Sequence, residues 1–408
     1  MRLTTLLPVT MMAAIACGDG ISAIDELPRE LSVAELDLIA ADNRFAFKFF
    51  HEIVTQSDPD ENIFISPTSI AMALGMTYNG ARGSTRDSMQ EALELHGMNL
   101  QDVNEAYQSV IELLRGLDPH VEFTIANSIW YRQGLSVQQP FVDLNQTYFD
   151  AQVEALDFTG SAAASTINAW VSENTNGRIG EIVEDPIDPM LVMFLINAIY
   201  FKGDWAYQFD RSRTHDAPFH RADGSTSTVD LMASGTEMPF WLTYDGTSQI
   251  GELRYGGGPW RMTIVLPTAH DAIAPVLDGL TEAQWNTWTE ALDSTDMSVL
   301  LPKFTLEYEA SLKDVLVALG MGNAFDPLLA DLSGIGGQPG ELFIDHVKHK
   351  TFLDINEEGT EAAAATSVGV GTTSAPMDFR VDRPFFFVIR EALSGSILFM
   401  GRIMDPGI

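Results

Sequence analysis

Gly359-Thr360-Glu361-Ala362-Ala363-Ala364-Ala365-Thr366-Ser367-Val368-Gly369-Val370-Gly371-Thr372-Thr373-Ser374-Ala375-Pro376 separates two strand-like runs, one ending near Ile355 and one starting near Phe385. A connection this long inside a compact domain is uncommon and usually functional. Its composition alone fits a flexible surface segment. Its internal order says more. Even positions from 360 to 372 read Thr, Ala, Ala, Thr, Val, Val, Thr, and odd positions from 361 to 373 read Glu, Ala, Ala, Ser, Gly, Gly, Thr. One register is apolar or β-branched and the other small or polar, the period-two pattern of a strand with one face inward. The segment is therefore expected to be a latent strand held outside its sheet. Small side chains suit such a strand, because bulk or charge on the inward register would hinder entry between two existing strands.

Outward from this segment the chain alternates between two periodicities. Apolar residues recur at helical spacing over 38–53, 70–78, 84–95, 103–114 and 166–175, and again over 310–319, where Gly320 and Gly322 stop the pattern. Strands are predicted over 121–131, 191–201, 260–266, 299–306, 342–355, 385–389 and 397–403. No repeat or linker-like shift in composition divides the chain. We read an α+β fold with one large domain over 38–408.

The N-terminus reads as an address. Arg2 precedes an apolar stretch from Leu3 to Ala16, too short to span a bilayer, ending in the small-x-small pattern Ala14-Ile15-Ala16. Residues 1–16 are expected to be a signal peptide and 17–37 a polar tether, placing the mature protein in an extracellular or periplasmic compartment. Cys17 is the sole cysteine, so no internal disulfide is available. Two readings of Cys17 stand: simple secretion with a free thiol, or lipidation, since Ala14-Ile15-Ala16-Cys17 resembles a bacterial lipoprotein cleavage signal.

Lys and Arg number 23 against 57 Asp and Glu, a net charge of −34 that repels nucleic-acid backbones and anionic lipid surfaces. Nucleic-acid binding is excluded on this ground. Apolar residues make up 46% and charged residues 20%, so the acidity marks a solvated surface on a globular chain. None of the eight histidines belongs to an H-E-x-x-H pair or a Cys/His cluster, and no metal or cofactor is expected. His346 and His349 are three apart on a predicted strand, hence on opposite faces. The G-x-S-x-G elbow, P-loop and dinucleotide fingerprint are all missing from the sequence, so no enzymatic activity is expected.

From about residue 40 onward the chain resembles the serpins. Asn62-Ile63-Phe64-Ile65-Ser66-Pro67-Thr68-Ser69-Ile70 is similar to the family's N-terminal strand-and-helix motif, and Gly80-Ala81-Arg82-Gly83-Ser84-Thr85 to the helix junction after it. Asn197-Ala198-Ile199-Tyr200-Phe201-Lys202-Gly203-Asp204-Trp205 resembles the central strand and its turn. Glu357-Glu358-Gly359-Thr360-Glu361-Ala362-Ala363-Ala364-Ala365-Thr366 resembles the inhibitory hinge, and Asp382-Arg383-Pro384-Phe385-Phe386-Phe387-Val388-Ile389 the C-terminal signature.

The resemblance implies three β-sheets, eight or nine helices and an exposed reactive-centre loop at about 358–380 on a metastable native state. It implies a suicide inhibitor of serine proteases, cut between Thr373 and Ser374, whose freed loop inserts into the central sheet with the protease attached as an acyl-enzyme. Thr373 is small and β-branched, which fits elastase- or subtilisin-like targets. The resemblance assigns Glu357, Lys303 and Trp205 to the point where the sheet opens, and Ser66, Ser69, Asn197 and His349 to a polar cluster beneath its centre. The helix over 103–114 carries Glu105 and Glu112 and no basic cluster, so no heparin-type polyanion site is expected. The expected state is a monomer, with loop-sheet polymers as its failure mode. The alternative within the same family is a non-inhibitory carrier or chaperone.

Overall fold

Ser32 starts the first helix, Val33–Gln56, with a reciprocal cap: its hydroxyl accepts from the Glu35 N–H at 3.3 Å while the Glu35 carboxylate accepts from its own N–H at 2.7 Å. Leu38, Ala41, Phe45, Phe49 and Ile53 form the buried stripe of this helix. The computed structural model describes residues 23–360 and 378–407. The expected signal peptide, Cys17 and loop residues 361–377, including Glu361, Ala362, Ala363, Ala364, Ala365, Thr366, Thr373 and Ser374, lie outside them. The tether expected to reach residue 37 ends earlier, because the Ser32 cap already commits Val33 to helix.

Pro67–Tyr78 is buried on nearly every side and packs behind the sheets. Ser66 caps it through its hydroxyl, and Pro67 occupies the first turn, where its missing N–H leaves no bond unmade. Gly83–Ala92, Leu100–Leu114, Gln139–Phe149, Ala162–Asn174, Ile273–Asp278 and Glu282–Glu290 follow. The last helical segment runs through Lys313–Leu316, Val317–Met321 and Gly322–Phe325, broken at Gly320, whose φ of 105° a side chain would resist. Counted as one, it makes nine helical segments among the described residues, besides the 3-10 turn Arg211–Arg213.

The six-stranded sheet has the order Phe304–Ser311, Lys348–Ile355, Gly359–Thr360, Met193–Asp204, Val121–Arg132, Gln152–Leu156. The remaining strands form a ten-stranded array that divides at Asp293–Pro302. Residues 293–297 pair with Met238–Tyr244, whereas residues 300–302 pair with Thr226–Ala233 and residues 298–300 run parallel to Asp378–Arg380. Three sheet regions result, as expected. Phe385–Glu391 and Ile397–Ile403 are buried on both faces at the centre of the main core, which explains their continuous apolar reading. A second core lies between Ala162–Asn174 and the six-stranded sheet, around Trp130, Ile167 and Ile196.

Several expected boundaries change. The strand expected over 299–306 is two strands in different sheets, because the chain turns at Lys303. The strand expected over 342–355 begins only at Lys348; the preceding residues are drawn instead toward the broken helix, with Ile344 N–H donating to the Ala324 carbonyl at 2.8 Å. His346 therefore sits outside the strand that carries His349. Ala310 belongs to a strand and not to the following helix. At the ends of the loop expected over about 358–380, Gly359–Thr360 and Asp378–Arg380 are in sheets.

Candidate functional site

Gly359 and Thr360 enter the six-stranded sheet between its two central strands. Thr360 pairs antiparallel with Ile355 on one side and with Gly203 on the other, and Gly359 pairs with Asp204. Both neighbours are thus antiparallel to this short strand and parallel to each other. A chain continuing from Thr360 in the same direction would run down between residues 202–193 and residues 354–348. Among the described residues no ladder joins those two edges. They border a cavity of about 400 Å³ lined by residues 191–199 on one side and 341–351 on the other. The entry point requires glycine: a Cβ on Gly359 would lie 2.0 Å from the Gly203 carbonyl oxygen.

The residues above this opening tie the root of the loop down. Lys303 Nζ lies 3.0 Å from Glu357 Oε2, and the Thr214 hydroxyl donates to Glu357 Oε1 at 2.8 Å. Burial works to raise the Glu357 carboxyl; the Thr214 hydroxyl, a backbone N–H and the Lys303 ammonium outweigh it and hold the group below the usual carboxylate range. Trp205 is 1% exposed, donates through Nε1 to the Asn356 carbonyl at 2.9 Å and stacks on Tyr255 at 4.4 Å. The structure therefore brings Lys303, Glu357 and Trp205 around one short segment. Lys303 does this from the turn that sequence periodicity read through.

Beneath the opening, the four polar residues form a connected chain. Ser66 N–H donates to His349 Nε2 at 3.0 Å, and the Ser66 hydroxyl accepts from Ser69 N–H at 3.2 Å while donating to the Leu398 carbonyl at 2.8 Å. The Ser69 hydroxyl donates to the Asn197 carbonyl at 3.4 Å, and Asn197 Nδ2 donates to Asn127 Oδ1 at 2.8 Å. Ser66, Ser69, Asn197 and His349 all line the cavity. Because Nε2 accepts, His349 carries its proton on Nδ1 and is neutral; burial pushes its pKa down to about 4. Asn197 Oδ1 is buried with no hydrogen-bond partner among the described residues. The group ties the strand edges carrying Asn197 and His349 to the start of helix Pro67–Tyr78.

Sequence reasoning missed Thr214, Tyr255, Asn127 and Arg211. Tyr255 shares a hydroxyl–hydroxyl bond of 2.8 Å with Thr360, and Arg211 is ion-paired to Glu358. These residues come from segments far from the loop in sequence, and no local pattern marks them. Helix Gln139–Phe149 was also unread, although Pro140 in its first turn and the spacing of Phe141, Asn145 and Phe149 were available signals.

Comparison with known proteins agrees with this geometry. The profile described as Serpin (serine protease inhibitor) matches residues 40–406. The leukocyte elastase inhibitor of Bos taurus is 36% identical over 380 residues, covering 90% of this chain and 99% of that protein. Among solved structures, the thermophilic serpin tengpin in its native state superposes with a TM-score of 0.82 at 29% identity, covering 95% of this chain and 97% of its own. Human thyroxine-binding globulin gives a TM-score of 0.82 at 28% identity, with 92% and 100% covered. A sheet parted at its centre under a glycine hinge, with matches along nearly the whole length, leads to one assignment: this chain belongs to the serpin family.

Proposed function

We propose that this serpin is a suicide-substrate inhibitor of serine proteases of elastase or subtilisin type, acting outside the cytoplasm. The observation that carries the reading is the parted sheet: two parallel edges with Gly359-Thr360 already paired to both at the top. In this mechanism the protease serine oxygen adds to the Thr373 carbonyl carbon. The bond to the Ser374 nitrogen breaks, that nitrogen takes the proton, and Thr373 remains as an ester on the protease. The freed segment then continues the strand begun at Gly359-Thr360. Residues 360–373 number fourteen, and at ~3.3 Å each they span about 45 Å, enough to carry the ester far from where it formed. Net backbone hydrogen bonding at roughly 0.5–1.5 kcal/mol per residue gives on the order of 10 kcal/mol, comparable with a domain's whole stability. The intact form is then held by a kinetic barrier.

Incubation with elastase or subtilisin followed by a denaturing gel tests this. A covalent band at the summed mass is expected. The carrier reading draws on the likeness to thyroxine-binding globulin and on the cavity of about 400 Å³. Clipped protein with no such band would favour it.

A further inference from the structure

Glu358 sits at the root of the loop with 2% of its surface exposed. Its side chain is ion-paired to Arg211, while Oε2 is buried with no hydrogen-bond partner among the described residues. Arg211 lies on the 3-10 turn Arg211–Arg213, whose start is capped by Asp210 through a 2.9 Å bond from Ser212 N–H. The segment 205–214 reaches the loop root at three further places. Trp205 N–H donates to the Glu358 carbonyl at 2.8 Å, Phe209 N–H to the Glu357 carbonyl at 2.8 Å, and the Thr214 hydroxyl to the Glu357 carboxylate. The same segment is fastened to Thr226–Ala233 by Asp210 N–H donating to the Ala233 carbonyl at 3.1 Å. That strand pairs with residues 300–302, which adjoin Asp378–Arg380 at the far end of the loop. One connected scaffold thus grips both ends of the segment between 360 and 378.

We propose that Arg211 is a positioning residue for loop insertion, resting on the inhibitory reading above. Its guanidinium keeps the Glu358 carboxylate under the turn, so that Gly359-Thr360 stay paired in the sheet and insertion starts from a strand already begun. Without Arg211 the buried carboxylate has no counter-charge, and the favourable response is for the root to swing toward water. Gly359 and Thr360 would leave the sheet with it. Insertion would then have to begin from an unpaired chain, and more acyl-enzyme would be hydrolysed before trapping.

The test compares wild type, Arg211→Ala, Glu358→Gln and the double variant against a protease that forms the covalent complex with wild type. Two quantities are read: the rate of loop cleavage, and the number of inhibitor molecules consumed per protease trapped. Arg211→Ala should raise the consumption ratio on the order of three- to tenfold with little change in cleavage rate, because the cut bond is far from the root. Adding Glu358→Gln should bring the ratio back toward wild type by removing the uncompensated charge. A general loss of structure would speed cleavage along the chain while lowering trapping and melting temperature, with no recovery in the double variant, and that outcome overturns the proposal. Arg211 is half exposed on a surface turn, so the variants are expected to fold; should Arg211→Ala not fold, a wild-type ratio in Glu358→Gln combined with Arg211→Gln supports the proposal and a raised one overturns it. An unchanged ratio in Arg211→Ala also overturns it. If wild type itself forms no complex and gains no thermal stability on nicking, the inhibitory reading has failed instead.

Discussion

The hydroxyls of Tyr255 and Thr360 lie 2.8 Å apart, and the Tyr255 ring stacks on Trp205. Thr360, 3% exposed, therefore points into the molecule. The hinge is built against an aromatic floor of Tyr255 and Trp205.

Thr360→Arg should convert the protein from inhibitor to substrate. Thr360 is already paired and buried in the intact chain, so an arginine there, with no partner beside Tyr255, would drive the root out of the sheet and leave insertion to start from an unpaired chain while cleavage proceeds. On a denaturing gel the variant should give clipped product in place of covalent complex. Trapping at the wild-type ratio would contradict the inward assignment of Thr360.

Glu357→Lys replaces an ion pair by two facing ammonium groups and removes the acceptor for Thr214. Lys303 is 42% exposed, so solvent softens the effect; a loss of roughly 2 kcal/mol is expected. The opening should widen and admit loops from other molecules. Size-exclusion after mild heating would show polymers, and the charge-swapped Glu357→Lys, Lys303→Glu pair should suppress them.

His349 makes stability depend on pH. Its pKa is about 4 in the fold and about 6.5 in an unfolded chain, so above pH 6.5 both states are neutral and the residue contributes no pH dependence. Between these values the unfolded state binds the proton and the folded state does not, so stability falls as pH drops from 6.5 to 4, by on the order of 3 kcal/mol. Burial pushes the Asp42 carboxyl up to about 7, which titrates in the opposite sense over this range, so the histidine slope is read as the difference between denaturant titrations of wild type and His349→Gln.

Nicking near residue 373 should raise the melting temperature by roughly 10–20 °C, because the freed segment gains a ladder on both edges. Calorimetry on intact and nicked protein checks this. Unchanged melting would mean that the intact form is not held above a more stable inserted form.

Much of the site was legible because its signals are local. The Ser66-Pro67 helix start and the continuous apolar runs of 385–389 and 397–403 each depend on neighbours in sequence. Lys303 was identified through the family motif while its surroundings were misread, since Leu301, Pro302 and Phe304 continue an apolar run across a turn that separates two sheets. The hairpins between 215 and 254 escaped notice because their strands are short and mixed in polarity.

Sequence alone determined the chemistry that the loop can carry: small alternating residues and a glycine pivot, both consequences of residue type and spacing. The tertiary structure decided what meets that loop. Tyr255 under Thr360, Thr214 on Glu357 and Arg211 on Glu358 are contacts across about 100 to 150 residues of chain. Such contacts arise from how strands in different sheets are brought together, and periodicity within any one of them contains no record of its partner.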